Sequence, residues 1–326
     1  DHAERHGAPD GGVGAGAWWT APGREGLTVG ARRRWGRWAA RLAGGGVLAL
    51  ALAWAILALP QRPSATRAWD GDHARLARAV FEGDSVVTIR DLRDFAYTSS
   101  TTYAPAYRTV RLALDSIESA WFILTPFSST WRGPAHAFVS FGFRGGQYVS
   151  ISVEARREQG ETYGLVPGVL RRFELAYIVG TERDLIGRRA RFDGDDVFLY
   201  PVASPTARVR QMFVEMLRRA NAVQDVPEFY NTLTSNCTSN LVDHVNRMIP
   251  GRIPSSLQAI LPGYADELAL SLGLIDATGT LEELRARFRI NDRARAALPG
   301  DDFSVAIRAG MRDRPTIAPD GHGDGT

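Results

Sequence analysis

Apolar and polar positions alternate with period two from Trp131 to Glu154, on both sides of Gly145-Gly146. Ala137, Val139, Phe141 and Phe143 share one face of the first run, and Val149, Ile151 and Val153 share one face of the second. The other face carries His136, Phe138, Ser140 and Gly142, then Tyr148, Ser150, Ser152 and Glu154. Two strands joined by a tight turn are predicted. A two-residue turn would set the apolar faces against each other, because a slip of one residue flips a strand. A three-residue turn, Arg144-Gly145-Gly146 with a left-handed glycine, keeps them together. In that register His136 lies opposite Glu154, with Ser152 on the diagonal.

Further strands are predicted at 85–90, 119–124, 173–179 and 197–200, with Pro201 ending the last. Residues 95–109, rich in Thr, Ser and Tyr, predict loops or short strands. Helical spacing predicts helices at 73–81, 207–223, 256–275 and 281–288. Thr181 caps another over 181–190, with Glu182 in its first turn and arginines at its end. One more begins at or just before Cys237, where Leu241, Val242, Val245 and Met248 recur at helical intervals and Ser235 or Asn236 serves as N-cap.

A different pattern precedes all of these. Arg32, Arg33, Arg34, Arg37 and Arg41 lead into an uncharged run from Leu42 to Leu59, closed by Pro60. As a helix it is about 27 Å long, near the hydrocarbon thickness of a bilayer. Trp35, Trp38 and Trp54 fit interfacial positions. The arginines predict a cytoplasmic N-terminus, with everything after Pro60 outside the cytoplasm. A cleaved signal peptide is the rival, but its apolar region is shorter, and Pro60-Gln61-Arg62-Pro63 offers no small-x-small site. The expected organisation is a disordered basic segment at 1–37, a transmembrane anchor at 38–60, a linker at 61–68, an extracytoplasmic domain at 69–311 and a flexible tail at 312–326.

Composition removes several functions from consideration. The net charge of +3 over 326 residues is spread along the chain, so nucleic acid is not expected as a partner. All basic side chains are arginine. Apart from His2 and His6, four residues apart at the start of the chain, the six histidines are scattered, no cysteine cluster occurs, and neither a metal nor a cofactor is expected. Phosphate-binding glycine loops and a G-x-S-x-G nucleophile elbow are missing from the chain.

Attention therefore falls on the single cysteine, Cys237. At a helix N-terminus its thiol would meet free N–H groups and the helix dipole, which lower a thiol pKa. A lone cysteine is more often a small buried apolar residue, so a base and an orienting group are needed for a nucleophile. His244, seven residues on, is about 10 Å away along the helix and is expected to be structural. His136 is the candidate base, with Glu154 beside it to raise its basicity and fix its tautomer, and with Ser152 as a second candidate. The alternative for His136 and Glu154 is an ordinary cross-strand charge pair. The expected oxyanion donors are the backbone N–H of Cys237 and the Asn236 side chain. Arg132 is a further support, its guanidinium suited to lipid phosphate. A strand histidine packed against a cysteine helix is a papain-like arrangement, here with histidine first, a circular permutation of the usual order.

The segments WRGPAHAFVSFGF, YVSISVEARRE, TERDLIGRR, VFLYP, PEFYNTLTSNCTSN and LPGYADELALSLGLID together resemble the Lnb N-terminal periplasmic domain family, over about Trp69 to Asp276. The resemblance implies an α+β fold, a permuted papain-like antiparallel sheet against a cysteine-bearing helix. It also implies a bacterial lipoprotein N-acyltransferase chemistry, in which Cys237 is the nucleophile and His136 the base. The order further resembles the lecithin:retinol acyltransferase group, which moves acyl chains through a thioester. The expectation is a membrane-anchored acyltransferase whose partners are a phospholipid or a diacylated lipoprotein. Its alternatives are a cysteine peptidase or amidase acting on cell-wall peptides, and a non-catalytic envelope binding module.

Overall fold

The computed structural model describes residues 29–128, 133–254, 261–298 and 300–311. The chain divides into two units, one ending at Ile56 and one beginning at Leu57. The first holds helix α1, Val29–Ala58, of which Arg37–Ala58 is long and apolar enough to cross a membrane. The helix starts inside the stretch 1–37 expected to be without regular structure, because its alanines and arginines are good helix formers. Residues 1–28 and the tail from 312 lie outside the described residues.

The second unit is α+β, built on an eight-stranded, mostly antiparallel sheet. Its strands are β1 (Arg78–Glu82), β2 (Val86–Arg93), β5 (Tyr107–Ala113), β6 (Ile117–Pro126), β7 (Ala135–Phe143), β8 (Gln147–Arg156), β9 (Glu174–Gly180) and β10 (Phe198–Pro201). They run in the order β1-β2-β9-β8-β7-β6-β10, with β5 also paired to β2. The small strands β3 (Ala96–Tyr97) and β4 (Tyr103–Ala104) pair apart from it. Where a helix was expected over 73–81, a 3-10 turn at Gly71–His73 and then strand β1 occur. Pairing of β1 with β2 across the turn at Gly83, which has φ +61°, outweighs the local helical spacing.

The central hairpin has the register expected from its alternation. Gly142–Tyr148 and Phe138–Ser152 are partners, and residues 144–146 form the turn, Gly145 and Gly146 both at positive φ. All nine residues of β7 are buried, because helices cover both faces of the sheet. On the face of Phe141 lie α4 (Thr206–Asp225) and α5 (Cys237–Met248), with Phe213 of α4 packed on Phe141 and Phe143 at ring separations of 5.0 and 5.3 Å. On the face of Ser140 lies α3 (Glu182–Arg188), where Glu182 accepts from Ser140 at 2.6 Å. Glu182 is itself neutralised by Arg308. Arg93, buried at the end of β2, forms a two-pronged pair with Asp184 of α3 at 2.9 and 2.8 Å. Removing one partner of such a buried pair costs about 3–5 kcal/mol.

Thr181 caps α3 as expected, its hydroxyl accepting from Asp184 N–H. The helix expected over 256–275 is a 3-10 turn at Pro262–Tyr264 and a helix at Ala265–Ser271, stopped near Gly273 at φ +63°; residues 255–260 lie outside the described residues. Helices follow at Leu281–Phe288, Asn291–Ala296 and Phe303–Ile307.

Candidate active site

The β7–β8 pairing stops at Phe138–Ser152. Beyond that point β7 stays on β6 as far as Ala135, and β8 stays on β9 as far as Arg156. The two strands therefore diverge and leave a fork at this end of the sheet. A cavity of about 210 Å³ opens at the fork, and Cys237, His136 and Glu154 all line it.

Cys237 reaches the cavity as the first residue of α5. Asn236 caps that helix, its Oδ1 accepting from Ser239 N–H at 2.9 Å while Ser239 Oγ accepts from Asn236 N–H at 2.8 Å. This reciprocal cap satisfies two otherwise free N–H groups. Asn236 Nδ2 donates to the Thr232 carbonyl at 2.8 Å. Both polar atoms of the Asn236 side chain thus serve the cap and the preceding loop. The cap holds the Cys237 N–H in place.

The sulfur sits at the open edge of β7, 4.0 Å from the Ala135 carbonyl oxygen and 3.9 Å from Thr238 Oγ1. Burial pushes the thiol pKa up, against the pull of nearby N–H groups, that of Ala137 first. The expected lowering at the helix N-terminus is reversed here, since desolvation penalises the thiolate more than the helix end favours it.

His136 stands on the other face of β7. Strand alternation places it with Phe138, whose ring is 5.4 Å from the imidazole, and away from α5. The expectation that the histidine packs directly against the cysteine helix is thereby corrected: the fork lets groups from opposite faces share one cavity. No hydrogen bond joins Cys237 and His136 among the described residues.

The imidazole is held by a relay. His136 Nε2 lies 2.7 Å from Ser152 Oγ, and Ser152 donates its one proton to Glu154 Oε1 at 2.8 Å. The serine oxygen must then accept from Nε2–H, which leaves Nδ1 as the lone-pair nitrogen of the neutral ring. Glu154 is held by Arg189 at 3.1 Å and by His73 Nε2 at 3.3 Å. Its pKa stays well below the carboxylate range: burial would raise it, but the His73 hydrogen bond and the Arg189 charge prevail. His136 itself is pushed down to about 3 by burial and then by Arg189, which together outweigh Glu154. The expected gain in basicity from the carboxylate is therefore overruled, and the resting pair is neutral thiol and neutral imidazole.

Sequence reasoning missed three groups in this cavity. Tyr230, its phenol pushed up by burial, has its hydroxyl near the Cys237 backbone N–H and the side chain of Tyr163. His73 bridges Glu154 and the backbone N–H of Arg157. Arg189, in sequence only one of the arginines ending the 181–190 segment, is mostly buried against Glu154. None has a local signal, since each gains its role from a segment distant in sequence. His244 is a buried core group: Nε2 is 2.9 Å from the Tyr177 hydroxyl, and Nδ1 faces Glu215 without a hydrogen bond to it. Arg132 lies outside the described residues. Among the described residues no cluster of three or more His, Cys, Asp or Glu could hold a metal ion.

A cysteine at a helix cap and a relay-held histidine share one cavity on an α+β domain. Residues 103–263 match the family model of the Lnb N-terminal periplasmic domain. The match spans His136, Ser152, Glu154 and Cys237. Comparison with curated proteins and with solved structures returned no match. A periplasmic domain with one N-terminal helix apolar enough to span fits a single-pass membrane protein with a periplasmic C-terminal domain.

Proposed function

We propose that this chain is a membrane-anchored, cysteine-dependent acyltransferase that carries a fatty acyl group on Cys237 and delivers it to the N-terminal amine of bacterial lipoproteins. On this reading α1 lies in the inner membrane with its N-terminus cytoplasmic, and the domain is a permuted papain-like one. The observation that carries the proposal is the convergence of Cys237 and the His136–Ser152–Glu154 relay on one cavity. His136 Nδ1, the nitrogen left without a proton, takes the thiol proton as the ester carbonyl of a phospholipid or diacylated lipoprotein approaches. The sulfur bonds to the carbonyl carbon, and the Cys237 N–H, with Tyr230 nearby, supports the oxyanion. The alcohol leaves with the imidazolium proton. An amine then attacks the thioester, forming an amide and regenerating the thiol. Incubation with labelled phospholipid should place hydroxylamine-sensitive label on Cys237; an unlabelled wild type, or undiminished label in Cys237→Ser, would overturn the reading.

One observation favours a second reading. The cavity walls carry Asp72, Arg157, Arg188, Arg189, Asp193 and Asp195, which suit a polar substrate. A cysteine amidase cutting cell-wall peptides would use the same groups, and mass spectrometry of a muropeptide digest separates the two.

A further inference from the structure

The rim of the Cys237 cavity is apolar where its walls are charged. Tyr163 lines the cavity and leads directly into the short helix α2, Leu165–Val169. Leu165 and Val166 on this helix are 48 % and 68 % exposed. The loop that precedes the thiol carries Leu233, 57 % exposed. The two segments are one surface: Thr232 Oγ1 donates to the Leu165 carbonyl at 3.1 Å, and a Cβ placed on Gly168 would stand 2.1 Å from Thr232 Oγ1. Phe127, 49 % exposed, lines the same cavity. Large exposed apolar side chains gathered on one rim mark a contact surface more than scattered ones do.

We propose that Leu165, Val166 and Leu233 dock the domain on the lipid bilayer surface, so that a lipid presents its reacting end to the Cys237 cavity while its tail stays outside. The substrate half of this statement rests on the acyl-transfer reading; the docking half does not. Three observations select a bilayer as the occupant. Helix α1 is apolar enough to span, and only Leu59–Pro63 separate it from Ser64, whose N–H donates to Glu174 of β9. A tether of this length reaches at most about 18 Å, less than the diameter of a domain this size, so a spanning α1 confines the domain to the membrane surface. Arg171 and Arg172 follow α2 after Leu170, the first over the Phe229 ring and the second 56 % exposed and 3.6 Å from Glu161, and guanidinium groups beside apolar side chains match phosphate headgroups above acyl chains. The cavity, about 210 Å³, is below the 300–1,000 Å³ range that encloses a drug-sized ligand, so it suits the reacting end of a lipid better than a long acyl chain.

The full-length chain, reconstituted in phosphatidylcholine/phosphatidylglycerol vesicles, tests this. Val166→Cys and Leu233→Cys, each in a Cys237→Ser background, carry an environment-sensitive nitrobenzoxadiazole dye, with Val305→Cys as the control on the helix Phe303–Ile307. The expected result is blue-shifted emission at 166 and 233, quenched by lipids with doxyl groups on the acyl chain, and aqueous emission at 305. Equal, aqueous emission at all three sites would overturn the proposal. In a Leu165→Ser/Val166→Ser/Leu233→Ser variant, acylation of Cys237 from vesicle lipid should fall at least tenfold, while acylation from a water-soluble short-chain ester is unchanged. Unchanged transfer from vesicles would also overturn it. A wild type acylated by neither donor would sink the acyl-transfer reading and leave docking to the dye.

Discussion

His136 Nε2 is 3.6 Å from the nearest Glu154 oxygen but 2.7 Å from Ser152 Oγ. The carboxylate acts on the imidazole through the serine, which donates a hydrogen bond to Glu154 and accepts one from the ring. Strand alternation puts all three on one face, and the fork opens that face to the sulfur.

Ser152→Ala should therefore lower thioester formation roughly 10- to 100-fold, a share of the 10²–10⁴ that a positioned base supplies. Ser152→Thr, which keeps the hydroxyl, should recover part of it. Single-turnover acylation across a pH series is the measurement, and an unchanged rate and profile in Ser152→Ala would remove the relay.

The thiol of Cys237 should alkylate slowly near neutral pH and faster as pH rises past 9, because burial holds its pKa up. Iodoacetamide rates against pH in the folded protein check this. A plateau already reached at pH 7 would mean that a thiolate is stabilised in the resting state.

Stability should fall on acidification below about pH 6.5. His136 has its folded pKa lowered to about 3 and His244 to about 4, so between these values and 6.5 the unfolded chain binds protons that the folded chain refuses. With more protons bound when unfolded, stability rises with pH across this window and is lost as pH falls. Urea midpoints from pH 7 to 4 measure the slope. His244→Gln should flatten it; an equal slope in that variant would exclude His244 as a source.

Asn236→Ala removes the cap of α5 and should cost about 1 kcal/mol of stability. It should also slow acylation, since the Cys237 N–H loses its fixed position. Denaturation and acylation rates measured on the same variant test both; a stability loss with full activity would confine Asn236 to the helix.

The hairpin register was legible in the sequence, because period-two alternation requires an odd turn to keep the apolar faces together and the two glycines mark where it falls. The cap on α5 and the identity of the sulfur-bearing helix were legible for the same reason: caps and helical spacing are local. The helix misread at 73–81 shows the limit, since a strand partner downstream outweighed its own spacing. What only the tertiary structure decided was the electrostatics and the meeting of faces. Burial depends on which segments cover a group, so it reversed the thiol expectation and made the histidine a weak base at rest. The divergence of β7 from β8, which brings a cysteine and a histidine from opposite faces into one cavity, follows from each strand keeping its outer partner, and the sequence of neither strand encodes that alone.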